Sequence, residues 1–288
     1  MLRPSPAANY LVIGGGPAGS MLAMRLAAAG RRVVLIEKQR EAHHKVCGEF
    51  LSREAIHYLE QQGIAPRALG AVEIGRVRIS SGKRVAEAHL PFPALSLSRK
   101  ILDEALLMRA TERCEMRRGC AVESLETDPD GWTAKLGQGR TLRASAAFLA
   151  TGKHDLRGWP RAPGKQDGLI GFKMHWRLAT AQTRALRGRM DLFVFSGGYG
   201  GLSLIENDAA NLCLVVRRST LRIHGEWTGL LSAILAGNRT LHALLDGAEP
   251  QWPRPLAISP IPLRTSRSRR PANLARRRSG SGDSLVHR

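Results

Sequence analysis

Tyr10-Leu11-Val12-Ile13-Gly14-Gly15-Gly16-Pro17-Ala18-Gly19-Ser20 is the stretch that decides the fold. The apolar run Asn9–Ile13 predicts a short buried strand, and Pro17 opens a helix rich in Ala, Leu and Met that Gly30 ends. Between them, Gly14, Gly16 and Gly19 match G-x-G-x-x-G, the turn that receives a dinucleotide. Gly14 allows the tight turn off the strand. Gly16 lets backbone approach a pyrophosphate with no Cβ in the way, and Gly19 lets helix pack closely on strand. The free N–H groups of the first helical turn, with Pro17 and Ala18, then face the phosphates.

Outward from that turn, Val33–Ile36 reads as a second buried strand ending at Glu37, which lies 23 positions after Gly14. An acid near that spacing can accept hydrogen bonds from ribose hydroxyls, and Lys38 follows it. The acid argues against a 2′-phosphorylated nucleotide but does not separate NAD from FAD. A strand, turn, helix and strand in this order predict the opening of a parallel sheet. Farther along, Ser52 caps a helix closed by Gly63, Val72–Ile79 and Lys83–His89 form a strand pair, and Ser98 caps a helix from Arg99 to about Arg113. Strands at Cys120–Leu125 and Trp132–Leu136 flank the turn Asp128-Pro129-Asp130-Gly131, and Ala146–Ala150 is another buried strand. From about Gly168 the strands become more antiparallel, with helices near Thr228–Ala236 and Thr240–Leu245. The expected fold class is α/β: a Rossmann-like parallel-sheet domain over residues 1–165, with a strand-pair insertion at about 72–90, then a mainly antiparallel substrate region over 166–262.

Composition narrows the function classes. The net charge is +20, but Arg-rich Leu263–Arg288 alone supplies +7 of it. The remaining basic residues are scattered and aromatics make up 5%, so nucleic acid is not the expected partner. Cys47, Cys114, Cys120 and Cys213 form no C-x-x-C pair and no His cluster joins them, so no metal is expected and the thiols read as reduced, in a cytoplasmic protein. No run of about 18 uninterrupted apolar residues predicts a membrane span.

Several segments in order resemble the geranylgeranyl reductase-like branch of the flavoproteins related to p-hydroxybenzoate hydroxylase. They are VIGGGPAGS from Val12, KVCGEFLSREA from Lys45, LSRKILDEALL from Leu97, FLATGKHDLRG from Phe148, GFKMHWRLA from Gly171 and GGYGGLSLIEN from Gly197. The resemblance covers about Tyr10 to Pro262. It implies FAD as cofactor, with NAD(P)H as an electron donor. It also implies reduction of a C=C bond in, or hydroxylation of, a hydrophobic isoprenoid- or polyketide-like substrate. An aromatic-ring monooxygenase is the alternative within the class. By the same resemblance Gly14, Gly16, Pro17, Ala18, Gly19, Glu37 and Lys38 hold the ADP half of FAD. Arg99 reaches the flavin or the pyrophosphate, or else only pairs with Asp103 one turn on. Val122 touches the adenine side through its backbone, or packs in the core. Gly152 lies against FAD, or simply ends a strand. Cys47 lines the flavin–substrate region, or is a small packing residue. The loop Gly197–Gly201 lines the substrate cavity or makes a wide hairpin turn. A peripheral membrane contact fits such substrates, and no obligate protein partner is evident.

The resemblance breaks off after Pro262. Family members continue with a second flavin motif similar to WRVGDQAAVIPSFTGD, and Gly282-Asp283 has too little chain after it to replace that segment. Synonymous codons can be chosen for Leu274–Arg288 that, read one base later, spell WRVGDQAAVIPSFTG. The expectation is a frame change near Pro262, an out-of-frame basic tail over 263–288, and weak or absent FAD retention in this chain. A catalytically inactive fragment is then the second alternative.

Overall fold

The computed structural model describes residues 9–160, 168–259 and 261. The expectations for Leu263–Arg288, for Gly282-Asp283 and for a frame change at Pro262 fall outside the described residues.

The chain opens with β1 (Asn9–Ile13), α1 (Pro17–Ala28), β2 (Arg32–Glu37), β3 (Phe50–Leu51) and α2 (Arg53–Gln61). A long hairpin, β4 (Val72–Ser81) and β5 (Arg84–Ser96), leads to α3 (Arg99–Thr111) and β6 (Glu115–Arg118). Then come β7 (Val122–Asp128), β8 (Gly131–Leu136), β9 (Thr141–Ala144) and β10 (Ala146–Leu149). The second half holds β11 (Leu169–Arg177), α4 (Thr180–Leu186), β12 (Gly188–Phe195), β13 (Gly198–Leu204) and β14 (Ala210–Arg217). It closes with α5 (Arg218–His224), α6 (Trp227–Gly237), α7 (Arg239–Leu245), β15 (Glu249–Pro250) and β16 (Leu256–Ile258).

Local chemistry explains the boundaries. Ser52 and Ser98 cap α2 and α3, their hydroxyls accepting from Ala55 N and Ile101 N at 3.3 Å each. Asp128 accepts from Asp130 N at 2.9 Å and so holds the β7–β8 turn.

β10-β1-β2-β6 form one parallel sheet. Both of its faces are buried, as a parallel sheet requires. Val12, Val33 and Leu35 pack against α1 and α3, through Ala23, Met24, Leu102 and Leu106. Leu11, Ile13, Val34 and Ile36 pack on the antiparallel meander β7-β8-β9. The short strand β6, which the apolar pattern did not reveal, has a half-exposed edge sequence, Glu-Met-Arg-Arg.

The second sheet runs β15-β11-β14-β13-β12-β4-β5-β3, with β16 also on β11. The strand pair read as a small insertion at about 72–90 is built into this sheet: β4 pairs with β12, in parallel, and β5 runs on to Ser96. One face carries Phe172, Met174, Leu202, Leu212, Leu214 and Phe193 against α6 and α7. The Gly197 loop is a tight turn rather than a wide one, since Phe195 pairs with Gly198. Gly198 and Gly200 lie under the rings of Phe195 and Phe193, where a Cβ would come within 2.5 and 2.3 Å of ring carbons.

Candidate functional site

The glycine turn divides its work among three positions. Gly14 sits at φ +111°, and a Cβ there would lie 2.4 Å from the Ala150 carbonyl oxygen. Gly19 faces the Gly14 carbonyl so closely that a Cβ would lie 1.8 Å from it. These two glycines are demanded by the chain itself. Gly16 is different. Its backbone is extended, at φ −73°, and among the described residues nothing lies nearer its missing Cβ than an Arg99 Nη2 at 3.9 Å. The fold therefore leaves space above Gly16 that it does not need. Gly16 is also the N-cap of α1, Pro17 is the first helical residue, and among the described residues no side chain caps the helix. Ala18 is exposed beside it. Open space, an uncapped helix start and the positive end of a helix dipole suit a diphosphate.

Glu37 closes the other side of the turn. Its carboxylate is buried and accepts from Gly15 N at 2.7 Å and from Gln39 N at 2.9 Å. Each oxygen keeps a further lone pair for a hydroxyl. Lys38 is exposed next to it. Val122 is half-buried at the start of β7, two residues beyond Cys120, whose N–H donates to the Glu37 carbonyl at 3.1 Å. Gly152 is exposed at φ +67°, just past the Ala150 that abuts Gly14 and Gly19.

Of the two readings of Arg99, the structure shows the Asp103 pair. Its guanidinium makes the Asp103 pair, at 2.7 and 3.0 Å, and also stands beside Gly16. Burial opposes its charge, but the Asp103 carboxylate outweighs that and raises its pKa. Lys45 reaches the same Asp103 at 2.7 Å. Cys47 is half-buried in the loop between β2 and β3, and its carbonyl accepts from Asn211 Nδ2 at 3.2 Å. The fold thus gathers Gly14–Gly19, Glu37 and Arg99 at one mouth, with Gly152 two residues past its Ala150 wall. Val122 lies to one side, on the meander.

Sequence reading missed a second constellation. Glu49 takes an uncommon φ of +58° in the same loop. Its side chain is fully buried and ion-pairs with Lys173, also fully buried. His175 Nε2 stands 3.2 Å from its other oxygen, and Arg99 N donates to it at 2.7 Å. Burial pushes the Glu49 pKa up, but the His175 contact, the Lys173 charge and the Arg99 amide prevail and hold it below its ordinary value. His44 stacks edge-on to His175, with Trp252 against both rings. Burial, with the charge environment of His175 and Lys173, drives the His44 pKa down to about 4. The sequence suggested no His cluster, yet ligand atoms of His44, Glu49 and His175 lie within 4.8 Å of one another. The Lys173 ammonium already supplies the cation on that carboxylate, so a metal ion would add charge to a balanced buried pair. Only the Lys and His alternating in GFKMHW could have signalled this, by interrupting a buried strand with polar residues.

Lys173 and His175 mark the face of the second sheet that the helices do not cover. Register carries this face across the sheet: Lys173 pairs with Cys213, Cys213 with Gly201, Gly201 with Leu192 and Leu192 with Ile79. The adjacent row runs Val215, Tyr199, Val194. Near Lys173 the face is polar and covered. Toward β4 it becomes apolar and open, with Ile79 47%, Val194 47% and Tyr199 54% exposed. Burial pushes the Cys213 thiol up to about 12, so it stays protonated. A cavity of about 420 Å³ lies on the other side of this sheet, among Phe193, Phe195, Leu230 and Ile234, away from the glycine turn.

Known proteins resemble this chain in sequence and in fold. A rifampicin monooxygenase from Streptomyces venezuelae is 34% identical over 178 residues, 57% of this chain and 37% of that protein. A digeranylgeranylglycerophospholipid reductase 2 from Methanopyrus kandleri is 38% identical over 108 residues, 36% of this chain and 26% of that one. The chain therefore spans well under half the length of these relatives. The crystal structure of halogenase PltM superposes with a TM-score of 0.74 at 15% identity, over 90% of this chain and 61% of that one, a likeness of fold. Among the described residues no helix is long and apolar enough to cross a membrane. A family model described as an FAD binding domain matches residues 7–151, half of the sequence, and the chain belongs to that FAD-binding family.

Proposed function

We propose that this chain binds FAD at the Gly14–Gly19 turn and serves as the flavin-holding part of an oxidoreductase acting on a hydrophobic small molecule. The observation that carries this reading is the unused space at Gly16, between an uncapped helix start and the Glu37 carboxylate. FAD, reduced by a nicotinamide nucleotide or another donor, would supply a hydride for an alkene or activate dioxygen for hydroxylation.

The residues have separable parts in that work. The α1 N-terminus and Arg99 face the diphosphate. Glu37 accepts from ribose hydroxyls, Lys38 and Val122 border the adenine side, and Gly152 leaves room near the β10 end. Cys47 and its loop lie between the cofactor region and the second sheet. The apolar stretch of Ile79, Leu192, Val194 and Tyr199 offers a flat surface for an isoprenoid or polyketide-like skeleton. Incubation with FAD, NADH or NADPH and a panel of such lipids tests this. Two added hydrogens in the product indicate C=C reduction, and one added oxygen indicates hydroxylation. Turnover of polar substrates with no effect of the lipids would refute the surface assignment.

The tail expectation belongs to the same reading. With the frame restored after Pro262, the chain would hold FAD more tightly than it does with Leu263–Arg288. Gene bases that disagree with the shifted reading, or equal retention by both versions, would end that part of the account.

A further inference from the structure

Glu49 lies where three parts of the molecule meet. Its Oε1 accepts from Arg99 N, at the start of α3, and from Lys173 on β11. Its Oε2 faces His175. Its own carbonyl accepts from Leu97 N at 3.0 Å and from Ser96 Oγ at 3.2 Å, and Ser96 Oγ in turn meets Ser203 Oγ at 3.2 Å. One residue thus ties the second sheet to the first turn of α3. That turn carries Arg99, whose guanidinium stands beside Gly16. A second carboxylate repeats the pattern: Glu206, just past β13, accepts from Ser98 N at 2.9 Å. The exposed donors of the α3 N-terminus are therefore answered by side chains from elsewhere in the chain, one at the β3 start and one from the second sheet.

We infer that Glu49 and Lys173 are positioning residues: the buried pair sets the α3 N-terminus, and through it Arg99, over the phosphate turn. Lys173 acts at a distance, because its ammonium meets Glu49 rather than the Gly16 mouth. It keeps Glu49 ionised and held, and an ionised Glu49 keeps the Arg99 amide and the 44–49 loop in place. The orphaned polar atoms near the pair fit this assignment. Among the described residues His44 Nδ1 and Asn211 Oδ1 are buried without a hydrogen-bond partner, and Asn211 is the register partner of His175. The polar surroundings are therefore incompletely satisfied, and the Glu49–Lys173 pair is the tie that fixes them. The cofactor arm of this inference rests on the flavin reading above, whereas the coupling of sheet to helix stands without it.

The test compares Lys173→Met with Met174→Ala in the 288-residue chain. Met174 neighbours Lys173 on β11 but packs into the helix-covered core, so Met174→Ala loosens the sheet without touching Glu49. Two readouts are taken: amide hydrogen exchange of the peptides covering 44–52 and 97–106 in the FAD-free chain, and the dissociation constant for FAD. Lys173→Met is expected to speed exchange in both peptides by tenfold or more and to weaken FAD by about tenfold, with Met174→Ala doing neither. A further expectation is that Lys173→Met and Arg99→Ala combine less than additively on FAD affinity, because one acts through the other. Equal effects of Lys173→Met and Met174→Ala would overturn the inference and leave Lys173 as ordinary packing, as would wild-type exchange in Lys173→Met. If the exchange result holds but no version binds FAD, the flavin reading fails and the coupling survives.

Discussion

The glycine turn and the Glu49 cluster are built on opposite plans. The turn is contiguous and made of backbone: Gly14, Gly16 and Gly19 matter for the atoms they lack. The cluster is discontinuous and made of side chains: His44, Glu49, Lys173, His175 and Trp252 come from three separate stretches of the chain. The difference teaches where function can be read without a fold. A site whose geometry is local writes its spacing into the sequence. A site whose geometry depends on strand register does not.

The turn is most vulnerable at Gly19. Gly19→Ala places a methyl where only 1.8 Å separates Cβ from the Gly14 carbonyl, so strand and helix must part. We expect a loss of more than about 4 kcal/mol of stability, measured by chemical denaturation. A near-neutral result would mean that helix and strand can separate at little cost. The cluster should answer next. Lys173→Met leaves a buried carboxylate without its cation, which costs about 3–5 kcal/mol, whereas Glu49→Gln with Lys173→Met should cost much less. If the double variant is as unstable as the single, charge balance is not what the pair provides.

At Glu37 the effect is on the ligand. Glu37→Gln keeps the shape but weakens charged hydrogen bonds worth about 1.5–3 kcal/mol, so FAD affinity should fall about ten- to a hundredfold in a fluorescence titration. The smallest effect is a dependence on pH. His44 titrates at about 4 in the folded chain against about 6.5 unfolded, so the unfolded state binds the proton first as pH falls. Stability is therefore full above about pH 6.5 and declines toward pH 4. Glu49 acts below that window: its folded pKa is depressed, so its contribution is lost only as pH falls beneath the usual carboxylate range. His44→Phe should flatten the slope between about pH 6.5 and 4 in denaturant titrations, and an unchanged slope would place the proton elsewhere.

The legible and illegible parts of the fold divide along the same line. β1, α1, β2 and the caps Ser52 and Ser98 stood out because apolar periodicity, glycine and capping residues are local signals. The β4–β5 hairpin was visible as strands, but its membership of the second sheet depended on parallel pairing with β12, a hundred residues on, which no local pattern encodes. α4 and α5 were missed because they are helices of seven residues that start without a side-chain cap, whereas α7, equally short, starts at the capping Asn238. Arg99 was left between two roles; the structure shows the pair with Asp103 and places the guanidinium beside Gly16, and the contact with the cofactor belongs to the proposal. Glu49 went unremarked inside KVCGEFLSREA because a lone acid in a loop looks solvated until Lys173 and His175 are seen across from it.

The most direct test of the central claim uses Gly16, the one glycine of the motif that the fold does not need. Gly16→Val has an allowed backbone and open space for its side chain, so it should melt like the parent chain. FAD titration is expected to show saturable binding by the parent and none by Gly16→Val at an unchanged melting temperature. Equal FAD binding by both chains would contradict the account, because the space above Gly16 would then not be where the cofactor lies.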